Sequence, residues 1–221
     1  MAKNNFIKTI RIQVFNKQLG AQHGNIFMGS DSQEKHPLKP FFPKGARLLM
    51  LGTFPPKKNR WSMDFFYPNF QNDMWRIFGI IYFSDPLHFT IAGKKSFDKN
   101  KLETFLSARK IALYDVAISV VRLKDNASDA FLEIKETLNL PTALKKLPEC
   151  SAVAATGKKA CQTLAETLNV PEPKIGECAR VEIAGRKINF YRMASTSRAY
   201  PLPIAQKALI YASMMRKENL L

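Results

Sequence analysis

Three cations, Lys57, Lys58 and Arg60, are followed closely by the rings of Phe65, Phe66, Tyr67, Phe70 and Trp75. Lysine and arginine hold phosphate oxygens and fix a protein's register on a nucleic acid. Aromatic faces accept unstacked bases, each stack being worth about 1–3 kcal/mol. A core uses the rings as readily, and Trp75, Ile77 and Phe78 read as core. It has little use for the amides of Asn59, Asn69, Gln71 and Asn72 that stand among them. A second group, Ser195, Thr196, Ser197 and Arg198, offers hydroxyls beside a guanidinium. Such residues are ordinary helix N-caps, and they hold phosphate equally well at a helix start. A third, Gly157 with Lys158 and Lys159, also suits an anion. Metal chemistry has little to work with. His23, His36 and His88 are isolated from one another, and Cys150, Cys161 and Cys178 match no ligand pair. No metal and no cofactor are expected, and the few scattered cysteines fit a reducing cytoplasm.

These residues need elements to carry them. ARLLMLGTF, a short apolar run closed by Gly52 and the Pro55–Pro56 pair, predicts a buried strand. DMWRIFGIIYF and SFDKNKLETFLSARK predict helices, and IALYDVAISVVR predicts a second buried strand. LPTALKKLP is a short helix between prolines, SAVAATG a third strand, and KKACQTLAETLNV a helix running on from it. ARVEIAGRKINFYRMAS reads as a hairpin turning at Ala184 and Gly185, and LPIAQKALIYASMMRKENL as the terminal helix. Buried strands alternating with helices imply a mostly parallel sheet covered on both faces. Sites in such sheets lie beyond the carboxyl ends of the strands. That rule selects the loops after Phe54, Ala155 and Ala194. Residues 1–45 are a basic N-terminal extension, either a flexible arm or an ordered lead-in, in which FIKTIRIQVF suits an edge strand or short helix; residues 46–221 form the α/β domain.

The whole-chain balance points to the partner. A net charge of +16 and 46% hydrophobic residues describe a well-packed body that meets a polyanion. No run approaches the roughly 18 apolar residues of a membrane span, and MAKNNFIKTIRIQ lacks the features of a secretory leader. The expected partner is DNA, double- or single-stranded, with no membrane, and the default state is a cytoplasmic monomer, associated with the nucleoid in a bacterium. No G-x-G-x-x-G, P-loop or G-x-S-x-G stands where a strand meets a helix, which weakens dinucleotide, nucleotide-triphosphate and α/β-hydrolase-fold readings.

LGTFPP, FYPNFQNDMW, ALYDV, ATGKKA and ASTSRAY occur in the order seen in the uracil-DNA glycosylase superfamily. The chain resembles its mismatch-specific and hypoxanthine-type branch over about residues 46–221. Gly52-Thr53-Phe54-Pro55-Pro56 resembles the loop after that family's first strand. Asn72-Asp73-Met74-Trp75 resembles its Asn-x-Phe-Trp segment, and Ser195-Thr196-Ser197-Arg198-Ala199 its last loop. The resemblance implies a three-layer α/β/α sandwich around a short, mostly parallel sheet. It also implies hydrolysis of the N-glycosidic bond of a damaged or deaminated base, uracil first, in base excision repair. A stacked base must be flipped out to be reached. By position, Asn72 orients the attacking water, and Gly52, Thr53, Phe54, Phe66, Tyr67 and Thr156 surround the base. Ser195, Thr196, Ser197 and Arg198 grip the DNA, to which charge adds Lys57, Lys58 and Arg60.

The chain also departs from the pattern. Pro56 replaces a glycine, Phe70 a proline, and the last loop has no histidine. Residues 52–56 contain no carboxylate or Asn; Asp64 is the nearest carboxylate and is a second candidate for the water, or a solvated or capping residue. A catalytically weak or inactive DNA-binding protein of the same fold is therefore the alternative to a monofunctional glycosylase. An α/β enzyme for a small anionic metabolite is a third reading. Three scattered cysteines argue against the iron–sulfur branch, whose cluster takes four ligands.

Overall fold

The computed structural model describes residues 33–124 and 129–221. In chain order the strands are β1 (Glu34–Lys35), β2 (Leu48–Gly52), β3 (Ile111–Asp115), β4 (Ala117–Arg122), β5 (Leu132–Thr137), β6 (Ala152–Thr156), β7 (Cys178–Ile183) and β8 (Arg186–Met193). The helices are α1 (Met74–Phe83), α2 (Lys99–Ala108), α3 (Leu140–Lys145), α4 (Lys158–Leu168) and α5 (Ile204–Lys217). Among the described residues, no helix is long and apolar enough to cross a membrane.

Five strands form the principal sheet in the order β3-β2-β6-β8-β7. β2 runs parallel to β3 and β6, and β6 parallel to β8; β7 alone is antiparallel. The sequences explain this. LLMLG, IALYD and AVAAT are apolar nearly throughout and are buried at every residue, as strands covered on both faces require. β7, at the edge, alternates buried and open positions beyond Arg180. Helices join the parallel strands, and α5 returns to pack on α1. In α1 the residues Met74 to Gly79 are all buried, with Trp75, Ile77 and Phe78 fully enclosed.

The run IALYDVAISVVR is two strands, not one. β3 ends at Asp115, and after Val116 the chain leaves the principal sheet as β4, the middle of a separate antiparallel sheet ordered β1-β4-β5. The N–H groups of Val116 and Ala117 bond to the carbonyls of Gly52 and Thr53 (2.9 and 3.1 Å), so the chain crosses the end of β2 as it turns. Apart from Asp115 the run carries no sign of that turn, because the apolar residues on both sides of it are buried. Ala117 and Val120 enter a second small core with Phe54 and Leu132. β5 exposes Glu133, Lys135 and Glu136, a composition suited to an edge strand. It resembles no apolar strand in the sequence.

Residues 33–45 are part of the body described here. β1 pairs with β4, and Phe41 bridges to Leu113, its N–H donating to the Leu113 carbonyl at 3.0 Å. The rest of the 1–45 extension, including FIKTIRIQVF, lies outside the described residues.

Candidate active site

All four parallel strands deliver residues from their carboxyl ends to one cavity of about 870 Å³. Gly52 and Thr53 follow β2, Asp115 closes β3, Thr156 closes β6 and Met193 closes β8. This is the edge of an α/β sheet at which ligands bind, and the volume is that of a small-molecule pocket.

The floor is built by Gly52 and Asp115. A Cβ on Gly52 would stand 2.3 Å from Asp115 Oδ1, so only glycine admits the carboxylate there. The other oxygen, Oδ2, meets His36 Nε2 at 2.9 Å, and His36 Nδ1 lies 2.9 Å from the Leu38 carbonyl. The histidine is sealed between Phe54, edge-on at 5.3 Å, and Tyr114 at 4.6 Å. A buried carboxylate is thus held in one orientation by a ring that the lead-in supplies. Neither residue was among the sequence candidates. Asp115 sits inside the quoted ALYDV segment, and a lone carboxylate closing an apolar strand was the available signal. His36 had none, because its partner is 79 positions away.

A second carboxylate, Asp129, stands in the wall, where Thr53 Oγ1 donates to its Oδ2 at 2.6 Å. Burial pushes the Asp129 carboxyl above its ordinary range; the Thr53 bond opposes this and the Asp115 charge adds to it. Tyr67 completes the wall. Its hydroxyl is 2.9 Å from Thr156 Oγ1, which in turn donates to the Leu51 carbonyl, so the phenol is the donor of the pair. Burial, and then the neighbouring Asp115, push this phenol well above its ordinary value, and it stays a donor. Tyr67 has φ +49°, a left-handed conformation that disfavours a bulky residue and stores about 1–3 kcal/mol. Its ring stands edge-on to Trp75 at 5.9 Å. Phe66 and Phe54 also line the cavity while packing into the cores behind it.

Asn72 reaches the cavity from the start of α1. Its Oδ1 accepts from the Met74 N–H at 2.9 Å. Its backbone carbonyl accepts from Arg76 Nη1 at 3.1 Å, and the same nitrogen holds the Phe70 carbonyl at 2.8 Å. A carbonyl oxygen has two lone pairs, so Asn72 Oδ1 retains capacity for a water.

Ser195, Thr196, Ser197 and Arg198 line the cavity beside Asn72, where the Asp73 N–H donates to the Thr196 carbonyl at 2.8 Å. The serines serve their own loop: Ser195 Oγ accepts from the Ser197 N–H (3.2 Å) and Ser197 Oγ from the Ala199 N–H (3.3 Å). α4 begins at the same wall with Gly157, at φ +99°, as its cap, and Lys158 and Lys159 line the cavity. Arg60 adds a further cation, and Arg122, bonded to Glu34 and to the Pro55 carbonyl, pins the loop after β2.

Three of the expected residues are not brought to the cavity. Lys57, Lys58 and Asp64 do not line it. Lys58 and Asp64 pair with each other at 2.6 Å, both largely exposed, and Lys58 also lies 3.8 Å from the Trp61 ring centroid. The Lys58 hydrogen bond holds the Asp64 carboxyl below its ordinary value. A short solvent-facing turn satisfies both side chains locally, which takes Asp64 away from any water in the cavity.

No family model and no curated protein sequence matches the chain. Among solved structures, the chain is similar in fold to a protein of Methanosarcina acetivorans whose solution NMR structure bears the provisional name uracil DNA glycosylase. The TM-score is 0.53 at 16% identity, over 82% of this chain and 96% of that one.

Proposed function

We propose that the chain is a monofunctional DNA glycosylase that hydrolyses the N-glycosidic bond of a damaged or deaminated base, uracil foremost, in base excision repair. One observation carries the reading: the ends of four parallel strands converge on a single cavity that joins two acidic side chains, a phenol donor and an amide to a rim of cations. The fold likeness to a structure named for this activity supports it. In this reading helices cover both faces of the sheet as a three-layer α/β/α sandwich, and the protein acts on DNA as a cytoplasmic monomer.

The base enters the cavity only when flipped out of the duplex. Arg60, Lys158, Lys159 and Arg198 meet phosphates, while Tyr67, Phe66 and Phe54 form its walls beside Thr53 and Thr156. Asn72 Oδ1 orients a water toward the sugar C1′. An amide is no strong base, so the bond to the base breaks ahead of water attack; the base leaves with the bonding electrons as an anion, and the proton lost by the water that adds to C1′ neutralises it. The carboxylate of Asp115, fixed by His36, favours the positive charge that develops on the sugar. Lys57 and Lys58 remain candidates for DNA outside the cavity, and Asp64 drops to a surface role.

The test uses labelled oligonucleotides carrying uracil, hypoxanthine or a G·T mismatch, with alkaline cleavage of abasic sites. Strand cleavage at uracil is expected. Salt-sensitive binding with no cleavage of any substrate would make the protein a binding module of this fold. The position of Asp64, outside the cavity and paired to Lys58, is what favours that second reading.

A further inference from the structure

Lys207 lies on α5 and is almost fully buried, 1% exposed. Its Nζ donates to Asp73 Oδ2 at 3.0 Å and to the Ser197 carbonyl at 2.8 Å. One helical turn on, the hydroxyl of fully buried Tyr211 donates to the Ala194 carbonyl at 2.8 Å. Residues four apart share a helix face, so α5 grips the 195–198 loop at both ends. Asp73 is equally engaged. Its N–H donates to the Thr196 carbonyl at 2.8 Å, and its second oxygen, Oδ1, lies 3.5 Å from Arg198 Nε. Asn72 is the residue before it.

A buried ion pair is a poor device for stability, because desolvation offsets most of the attraction and apolar replacements are often neutral. What it does well is fix position. Arg198 is different from Lys207: its side chain is 54% exposed and its contact with Asp73 is long. It can turn to a phosphate while Lys207 keeps Asp73 paired.

We propose that Asp73 and Lys207 are a positioning pair that registers the 195–198 loop against Asn72. The grip on the DNA backbone and the placement of the water are then set by one buried contact, with Arg198 as its releasable arm. This rests on the glycosylase reading for its catalytic consequence, but the mechanical part stands on the contacts alone.

The double variant Lys207→Met/Asp73→Asn tests it, since removing both charges avoids an unpaired buried ion. Asp73→Asn alone is the second variant; it keeps the shape and a neutral acceptor for Lys207 but leaves that cation buried without its counter-charge. Amide hydrogen exchange is read on the free proteins. In the double variant, peptides covering residues 194–200 are expected to exchange about tenfold faster or more, with β2 and β6 unchanged, and in Asp73→Asn, which strands the buried Lys207 charge, at least as fast. Wild-type exchange of the loop in both variants overturns the proposal, whatever the protein does to any base. If the wild type cleaves uracil oligonucleotides, single-turnover rates at saturating protein are compared as well. A fall of about tenfold to a hundredfold is expected from misplaced groups, with thermal unfolding close to wild type. An undiminished rate in the double variant overturns it equally. A wild type that cleaves nothing counts against the glycosylase reading, and the exchange result still decides the pair.

Discussion

Two side chains, the Asn72 amide and the Asp64 carboxylate, are candidates to orient the water, and geometry separates them. Asn72 lines the cavity and keeps an acceptor lone pair; Asp64 is salt-bridged on the outer surface. Asn72→Ala is expected to lower single-turnover cleavage roughly a hundredfold or more with DNA binding nearly intact, a loss typical of a preorganised polar group. Asp64→Ala is expected to change neither rate nor binding; a dead Asp64→Ala enzyme with an active Asn72→Ala enzyme would reverse the assignment. Asp129 gives a pH prediction. Its carboxyl is raised above the ordinary 3.8 by burial, so the fold favours the protonated form. The stability linked to it is full below pH 3.8 and is lost as pH rises through the raised value. Asp129→Asn keeps an acceptor for Thr53 and removes that loss. The variant is expected to unfold at higher denaturant concentration than wild type at neutral pH, the difference closing in acid. Equal stability of the two at every pH would show that Asp129 sits in ordinary solvent.

At the scale of elements, the two sheets meet where β3 gives way to β4, and this junction brings Asp115, Phe54 and Arg122 to one side of the cavity. Elsewhere a single side chain ties two elements together. Arg186, the first residue of β8, donates to the Leu144, Leu147, Pro148 and Cys150 carbonyls at the end of α3. A cation suits a helix C-terminus, and only a guanidinium fork reaches several carbonyls at once. Arg186→Ala is expected to cost about 2 kcal/mol in denaturant unfolding, with Arg186→Lys recovering only a part. A loss indistinguishable from zero would mean that water replaces the arginine.

For the whole molecule, charge and burial set two further expectations. With a net charge of +16, binding to undamaged duplex is expected to weaken steeply between 50 and 200 mM salt, by about tenfold or more. A flat response in a mobility-shift titration would separate the charge from nucleic-acid binding. Burial also sorts the thiols. Cys150 and Cys161 are buried and pushed up to about 11, whereas Cys178 is exposed. A colorimetric thiol assay at neutral pH is expected to report one fast thiol in the native protein and three after unfolding.

Much of this was legible in the residues. The apolar runs ending at Gly52 and Thr156, the helices of α1, α2, α4 and α5, and the hairpin at Ala184 and Gly185 are local patterns. Hydrophobic periodicity and breakers are written in neighbouring positions. The three loops beyond the strand ends follow from those patterns and a general rule of parallel sheets, and the loops do share one cavity. Tertiary structure decided what no local pattern holds. It split IALYDVAISVVR between two sheets, because burial on both sides of the Asp115–Val116 junction makes each half read as the same buried strand. It brought His36 to Asp115, Thr53 to Asp129 and Lys207 to Asp73 across 79, 76 and 134 positions. Such pairs depend on which elements the topology sets side by side, and a chain read in one dimension shows the type of each partner but not its neighbour.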